Sequence, residues 1–121
     1  MTKWNVLENL KRLMPMEEEV IEKALPICSQ CLEEIRENLR DDADENDKRI
    51  AVAAAGLAYY QLMIASISAD DAVTSFRAGD VTVSKNPVAI METAANIRDE
   101  ALARAVPILK DRDFLFRQVG I

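Results

Sequence analysis

With 121 residues, half of them hydrophobic and 30% charged, the chain has room for one domain whose core needs no disulfide or metal staple. Three glycines, four prolines and six aromatics (one Trp, two Tyr, three Phe) are too few for the turns and strands of a sandwich or barrel, so helices should dominate. Fifteen basic against 21 acidic residues leave a net charge of −6, which disfavours specific nucleic-acid binding, and the lack of histidine removes the commonest general base and metal ligand.

Residues 3–14 set Trp4, Leu7, Leu10 and either Lys11 or Met14 on neighbouring turns, which predicts a short amphipathic helix, ended by Pro15 and placed as a lid. Charges fall in every turn of this segment, so it does not read as a secretory signal. The protein is expected to stay in the cytoplasm, with Cys28 and Cys31 as reduced thiols.

A second helix is expected to open on Glu17, Glu18 and Glu19, which suit the positive end of a helix dipole, with Pro15 in its first turn. Val20, Ile21, Ala24, Leu25, Cys28, Cys31, Leu32, Ile35 and Leu39 recur at three- and four-residue steps and form one stripe. Pro26 lies inside it, where a kink or a short break is expected.

Residues 40–47 are polar and acidic and read as a loop with several candidate N-cap side chains. Residues 48–68 are the most apolar segment. The 18 residues from Ile50 to Ile67 approach the length of a membrane span, but six of them are alanine and both flanks are polar, so a buried central helix is the better reading and no membrane partner is expected.

Between 69 and 86 the pattern changes. Val73, Ser75 and Arg77, then Val81, Val83 and Lys85, alternate around Ala78-Gly79-Asp80, as in a β-hairpin or extended arm. Asn86-Pro87 then opens a long helix to about residue 110, with Met91, Ala94, Ala95, Arg98, Ala101, Leu102, Ala105, Ile108 and Leu109 on one face and Pro107 bending or shortening its end. Residues 111–121 form an apolar and basic tail that calls for a surface to lie on. The expected fold is thus a mainly α-helical domain over 1–121, a bundle of about four helices with an arm at 69–86 between the last two. Its acidity sits in front: residues 1–47 carry 6 basic and 13 acidic side chains, residues 48–121 carry 9 and 8.

No catalytic set emerges, so no enzyme, cofactor or metal is expected. Cys28-Ser29-Gln30-Cys31 has the spacing of a redox pair or half a zinc site, but it lies on an apolar helical stripe, without the strand that precedes a thioredoxin-type pair or two further soft ligands. Core packing is the better reading. The cluster Asp41, Asp42, Asp44, Glu45 and Asp47 lacks the central Gly and final Glu of a calcium loop and reads as a solvated connection. Arg98, Asp99, Glu100 and Arg104 are spaced for weak intrahelical ion pairs on a wet face. Gly56 among alanines permits close backbone approach, either within the bundle or between copies, the bundle being favoured. An isolated hairpin is marginal in water, so the arm is expected to lean on a partner subunit.

The order of these elements, with Leu57-Ala58-Tyr59-Tyr60-Gln61-Leu62, then Ser75-Phe76-Arg77-Ala78-Gly79-Asp80-Val81-Thr82-Val83-Ser84, a long helix and Phe114-Leu115-Phe116-Arg117, resembles the small head–tail connector (adaptor) proteins of long-tailed bacteriophages and prophages. The resemblance covers about residues 15–121; Pro26, the two cysteines and the Trp4 helix have no counterpart in it. It implies a ring, commonly of twelve copies, below the portal of the capsid. Each copy would dock to the portal and to the next head-completion or tail protein, extending the DNA channel. The location would be the host cytoplasm before assembly and the head–tail junction of the virion afterwards. Phe76, Arg77, Gly79, Asp80, Val81 and Val83 would be the arm contacts, and Phe114, Phe116 and Arg117 those of the tail. A small cytoplasmic helical module that binds a regulatory partner or small ligand, with the hairpin as lid, is the other reading.

Overall fold

The computed structural model describes residues 1–68 and 87–110, and these form a mainly helical bundle. The four helices are α1 (Lys3–Leu13), α2 (Glu18–Glu37), α3 (Lys48–Ser68) and α4 (Pro87–Ala105), with a 3-10 turn at Val106–Ile108. The hairpin or arm expected at 69–86 and the tail at 111–121 lie outside the described residues.

Helix α1 starts where Thr2 and Asn5 cap one another. The Trp4 amide donates to Thr2 Oγ1 at 3.3 Å and the Thr2 amide donates to Asn5 Oδ1 at 2.8 Å, so two amides that the helix leaves without partners are satisfied. Its inward face is Val6, Leu7 and Leu10, continued by Met14 just beyond the helix. Met14, not Lys11, therefore completes the stripe. Trp4 does not join it: with Val6 and Leu10 at the centre of the buried face, Trp4 falls outside and is 56% exposed, the Lys3 ammonium 5.8 Å from its ring centroid. Since Val6 and Leu10 are fully buried, α1 is a wall of the core and not a lid.

Helix α2 buries Ala24, Cys28, Cys31, Leu32 and Ile35, with Val20, Ile21 and Leu25 packed at the margin, as the spacing predicts. One expectation fails here: Pro15 lies before the helix rather than in its first turn, which Glu18 and Glu19 occupy. Of the kink or short break expected at Pro26 there is no break, since the helix runs through it from Glu18 to Glu37. An interior proline removes one hydrogen bond. Pro26 is on the exposed side, while Ala24 and Cys28 on either side of it stay in the core.

The loop 40–47 is capped at its far end. Asp47 Oδ1 accepts from the Arg49 amide at 2.9 Å, and its carboxylate also receives the Arg49 guanidinium through Nε (3.0 Å) and Nη2 (2.7 Å). Three donors on one partly buried carboxylate hold its pKa down at about 2. Helix α3 is the centre of the molecule: Ile50, Ala53, Ala54, Ala55, Leu57, Ala58 and Leu62 are buried, and α1, α2 and α4 all pack on it. By length and hydropathy Lys48–Ser66 would suffice to cross a membrane, yet over half of that stretch is buried within the bundle.

Helix α4 runs antiparallel along α3, where small residues allow a close approach. A Cβ placed on Gly56 would stand 2.7 Å from the Cβ of Ala101 and 3.4 Å from the Cα of Arg98. Gly56 therefore serves packing inside the chain. The helix ends at Ala105, earlier than the expected residue 110, because Pro107 ties the last residues into a 3-10 turn. Leu109 is then extended and forms an isolated antiparallel bridge with Leu39, the sole strand-like pairing among the described residues.

Candidate interaction surfaces

Register first decides where contacts can be made. Gly56 lies against Ala101, and Tyr60 against Arg98, so the end of α3 at Ser68 and the start of α4 at Pro87 come to the same end of the bundle. Residues 69–86 join those two points. Lys110, from which residues 111–121 continue, sits at the opposite end. There the Arg40 amide donates to the Ile108 carbonyl at 2.9 Å, the Lys110 amide to the Asn38 carbonyl at 2.8 Å, and Arg40 Nε to the Leu109 carbonyl at 3.2 Å. The two segments carrying every residue singled out for partner contact thus depart from opposite ends of one bundle. Phe76, Arg77, Gly79, Asp80, Val81 and Val83, and likewise Phe114, Phe116 and Arg117, lie outside the described residues themselves.

The 39–109 end is also the acidic end. Asp41, Asp42, Asp44 and Glu45 are exposed there, and the nitrogen of Met1 donates to Asn46 Oδ1 at 3.2 Å while Arg36 donates to the Met1 carbonyl. Among the described residues no group of three or more Cys, Asp or Glu is placed to hold a metal ion.

Two grooves flank α4. One, of about 320 Å³, runs between α1 and α4 over a floor supplied by α3. Val52, Ala55, Ile97, Ala101 and Leu13 give it apolar walls, and Asn9, Arg12, Glu100 and Arg104 rim it. The other, of about 390 Å³, lies near the 68/87 end and is lined by Tyr60, Val88, Met91, Glu92 and Ala95. Sequence reasoning missed both. Periodicity finds the residues of one face, but a groove is made by the sides of two helices, and nothing in either helix alone records their spacing.

Arg98 departs from its expected wet face. The residue is 5% exposed, its guanidinium carbon 4.0 Å from the Tyr60 ring centroid and its Nε 2.9 Å from Asp99 Oδ1. Glu100 and Arg104 do remain on water, 3.5 Å apart and both exposed. Cys28 and Cys31 are fully buried and free, and desolvation raises their thiols to about 11 and about 12, with the Glu34 charge adding to the second. Neither is a nucleophile at neutral pH.

No family model, curated protein or solved structure matches the chain.

Proposed function

We propose that the protein is a head–tail connector of a bacteriophage or prophage: a structural subunit, not an enzyme, that assembles as a ring below the portal and joins capsid to tail. The observation carrying this reading is the opposed departure of 69–86 and 111–121 from one bundle. A subunit that joins two different bodies needs contacts at two separated ends with a stiff element between them. Helix α4 supplies that element, its 19 residues spanning about 28 Å.

In this reading the segment 69–86 is an arm, a hairpin or extended ribbon, that reaches the portal or a neighbouring copy through Phe76, Arg77, Asp80, Val81 and Val83, with Gly79 at its turn. Phe114, Phe116 and Arg117 make the contacts at the other end. The net charge of −6 suits a channel wall past which DNA slides, since strong phosphate contacts would retard passage. Neither metal nor cofactor is required.

The test begins with the DNA flanking the gene. Portal, capsid and tail reading frames beside it supply the portal with which the full chain is mixed, and rings of about twelve copies on that portal are the expected product by electron microscopy. Deleting residues 74–84 should abolish assembly while leaving the helical circular dichroism nearly intact. Metabolic or regulatory neighbours, or a chain that stays monomeric on the portal, overturn the reading. The groove at Tyr60, Val88, Met91 and Ala95, which reaches the start of α4 where 69–86 ends, favours the second reading, a helical binding module with that segment as lid. A partner bound without any ring would establish it.

A further inference from the structure

We infer that Cys28 and Cys31 make this a redox-sensitive fold: α2 keeps both sulfurs in the core only while they are thiols, and a disulfide between them loosens the helix that carries them. The inference rests on the packed helices alone and holds whichever function they serve. Three observations carry it. The first is placement. Both cysteines are free and fully buried, one turn apart on the inward face of α2, beside Ala24, Leu32 and Ile35 of the same stripe. The chain has no third cysteine, so within one molecule each has a single possible partner.

The second is the geometry of an unbroken helix. Residues three apart on a helix hold their Cβ atoms about 5–6 Å from one another, whereas a disulfide needs them at about 3.8 Å. All Cα–Cβ bonds of a helix tilt toward its N-terminus, so the earlier of two such residues turns away from the later. Because α2 is helical from Glu18 to Glu37, closing the bridge must distort the 28–31 turn and draw the sulfurs from their core positions. A disulfide also restrains the unfolded chain, which favours folding, but so short a loop gives the smallest gain of that kind, and strain sets the sign.

The third is access. Ser29 and Gln30, between the cysteines, are exposed, and Pro26 lacks the amide that would donate to the Glu22 carbonyl. The turn that leads into the pair is therefore one backbone bond short, and local opening there brings the thiols to water. Closed, the bundle keeps them protonated and out of reach. Opened, one thiolate attacks the S–S bond of a small disulfide such as oxidised glutathione, and one glutathione thiolate leaves. The second cysteine then attacks the mixed disulfide and displaces the other glutathione. Two electrons and two protons pass from the cysteines to the oxidant, which becomes two thiols.

The experiment treats the full chain with oxidised glutathione, once in plain buffer and once in urea that unfolds it. Intact mass separates the bridge, a loss of two hydrogens, from a glutathione adduct, which is a gain. The unfolded chain should close the bridge at least about tenfold faster than the native one. Returned to buffer and freed of glutathione, the bridged chain should have a urea midpoint about 1 M or more below that of the reduced chain, and dithiothreitol should restore it. A chain carrying both Cys28→Ala and Cys31→Ala should keep one midpoint before and after the same treatment. Native thiols that bridge as fast as unfolded ones overturn the inference, as does a bridged chain no less stable than the reduced one. So does an unfolded chain that never bridges, or an equal shift in the double variant, which would place the sensitivity elsewhere.

Discussion

The guanidinium carbon of buried Arg98 stands 4.0 Å from the Tyr60 ring centroid, and this contact joins α4 to α3. The arginine keeps one carboxylate, Asp99, whose other side faces solvent. Tyr60→Leu should cost about 2 kcal/mol, because it removes a desolvated cation–π contact and leaves the cation buried. Arg98→Met, which removes the charge and keeps the stem, should cost less. Urea denaturation of both variants checks the order, and an Arg98→Met loss larger than that of Tyr60→Leu would count against it.

Gly56→Ala should destabilise the bundle even though alanine is the better helix former. The gain in helix propensity is about 1 kcal/mol, but the new methyl would stand 2.7 Å from the Ala101 Cβ, and neither group is the end of a flexible side chain. Overpacking of this kind costs about 1–3 kcal/mol. Ala101→Gly in the same chain should recover part of the loss, read as a shift in the urea midpoint.

Stability should be flat around neutral pH and fall in alkali. The Cys28 and Cys31 thiols ionise near 9 when exposed and at about 11 and about 12 in the fold, so the folded state holds its protons longer. Their contribution is complete below about 9 and is lost as pH rises through 11 to 12. Tyr59, raised by burial, acts in the same direction. Thermal melts at pH 7 and pH 10 read the fall, and Cys28→Ala with Cys31→Ala should make it shallower. At pH 7 the native thiols should resist alkylation until the protein unfolds.

At the acid end Asp47 works with the opposite sign. Its carboxyl is held at about 2 by Arg49, so its contribution is present above the usual carboxylate value near 4 and disappears as pH falls through 2. Carbon-13 NMR of the Asp47 carboxyl should show the low midpoint, and Arg49→Gln should move it toward 4.

Helical content, the stripe of α2 and most of the inward face of α4 were legible from spacing, because three- and four-residue steps report which side of a helix is dry. Residues that depend on a neighbour were not. Trp4 has the right spacing for the α1 stripe and stands in water, since the buried face is centred on Val6 and Leu10 and Trp4 falls to its side. Arg98 lies on the apolar face by position and on a wet face by chemistry, and only the arrival of Tyr60 from α3 decides between them. Pro26 reads as a kink or a short break, yet α2 continues through it with the proline on its exposed side, because the buried stripe on both sides of it keeps the helix docked. The candidate contacts at 76–83 and 114–117 rest on the sequence pattern and the resemblance, and lie outside the described residues.

The pairing at Leu39 and Leu109 also sets how the molecule would bear load. A pull applied at Lys110 does not peel α4 from its C-terminal end one turn at a time. It meets the backbone hydrogen bonds at 38–40 first, and these pass the force into α2, whose buried face anchors it to α3. Tension entering at one extremity is therefore shared by helices distant in sequence before any of them unravels.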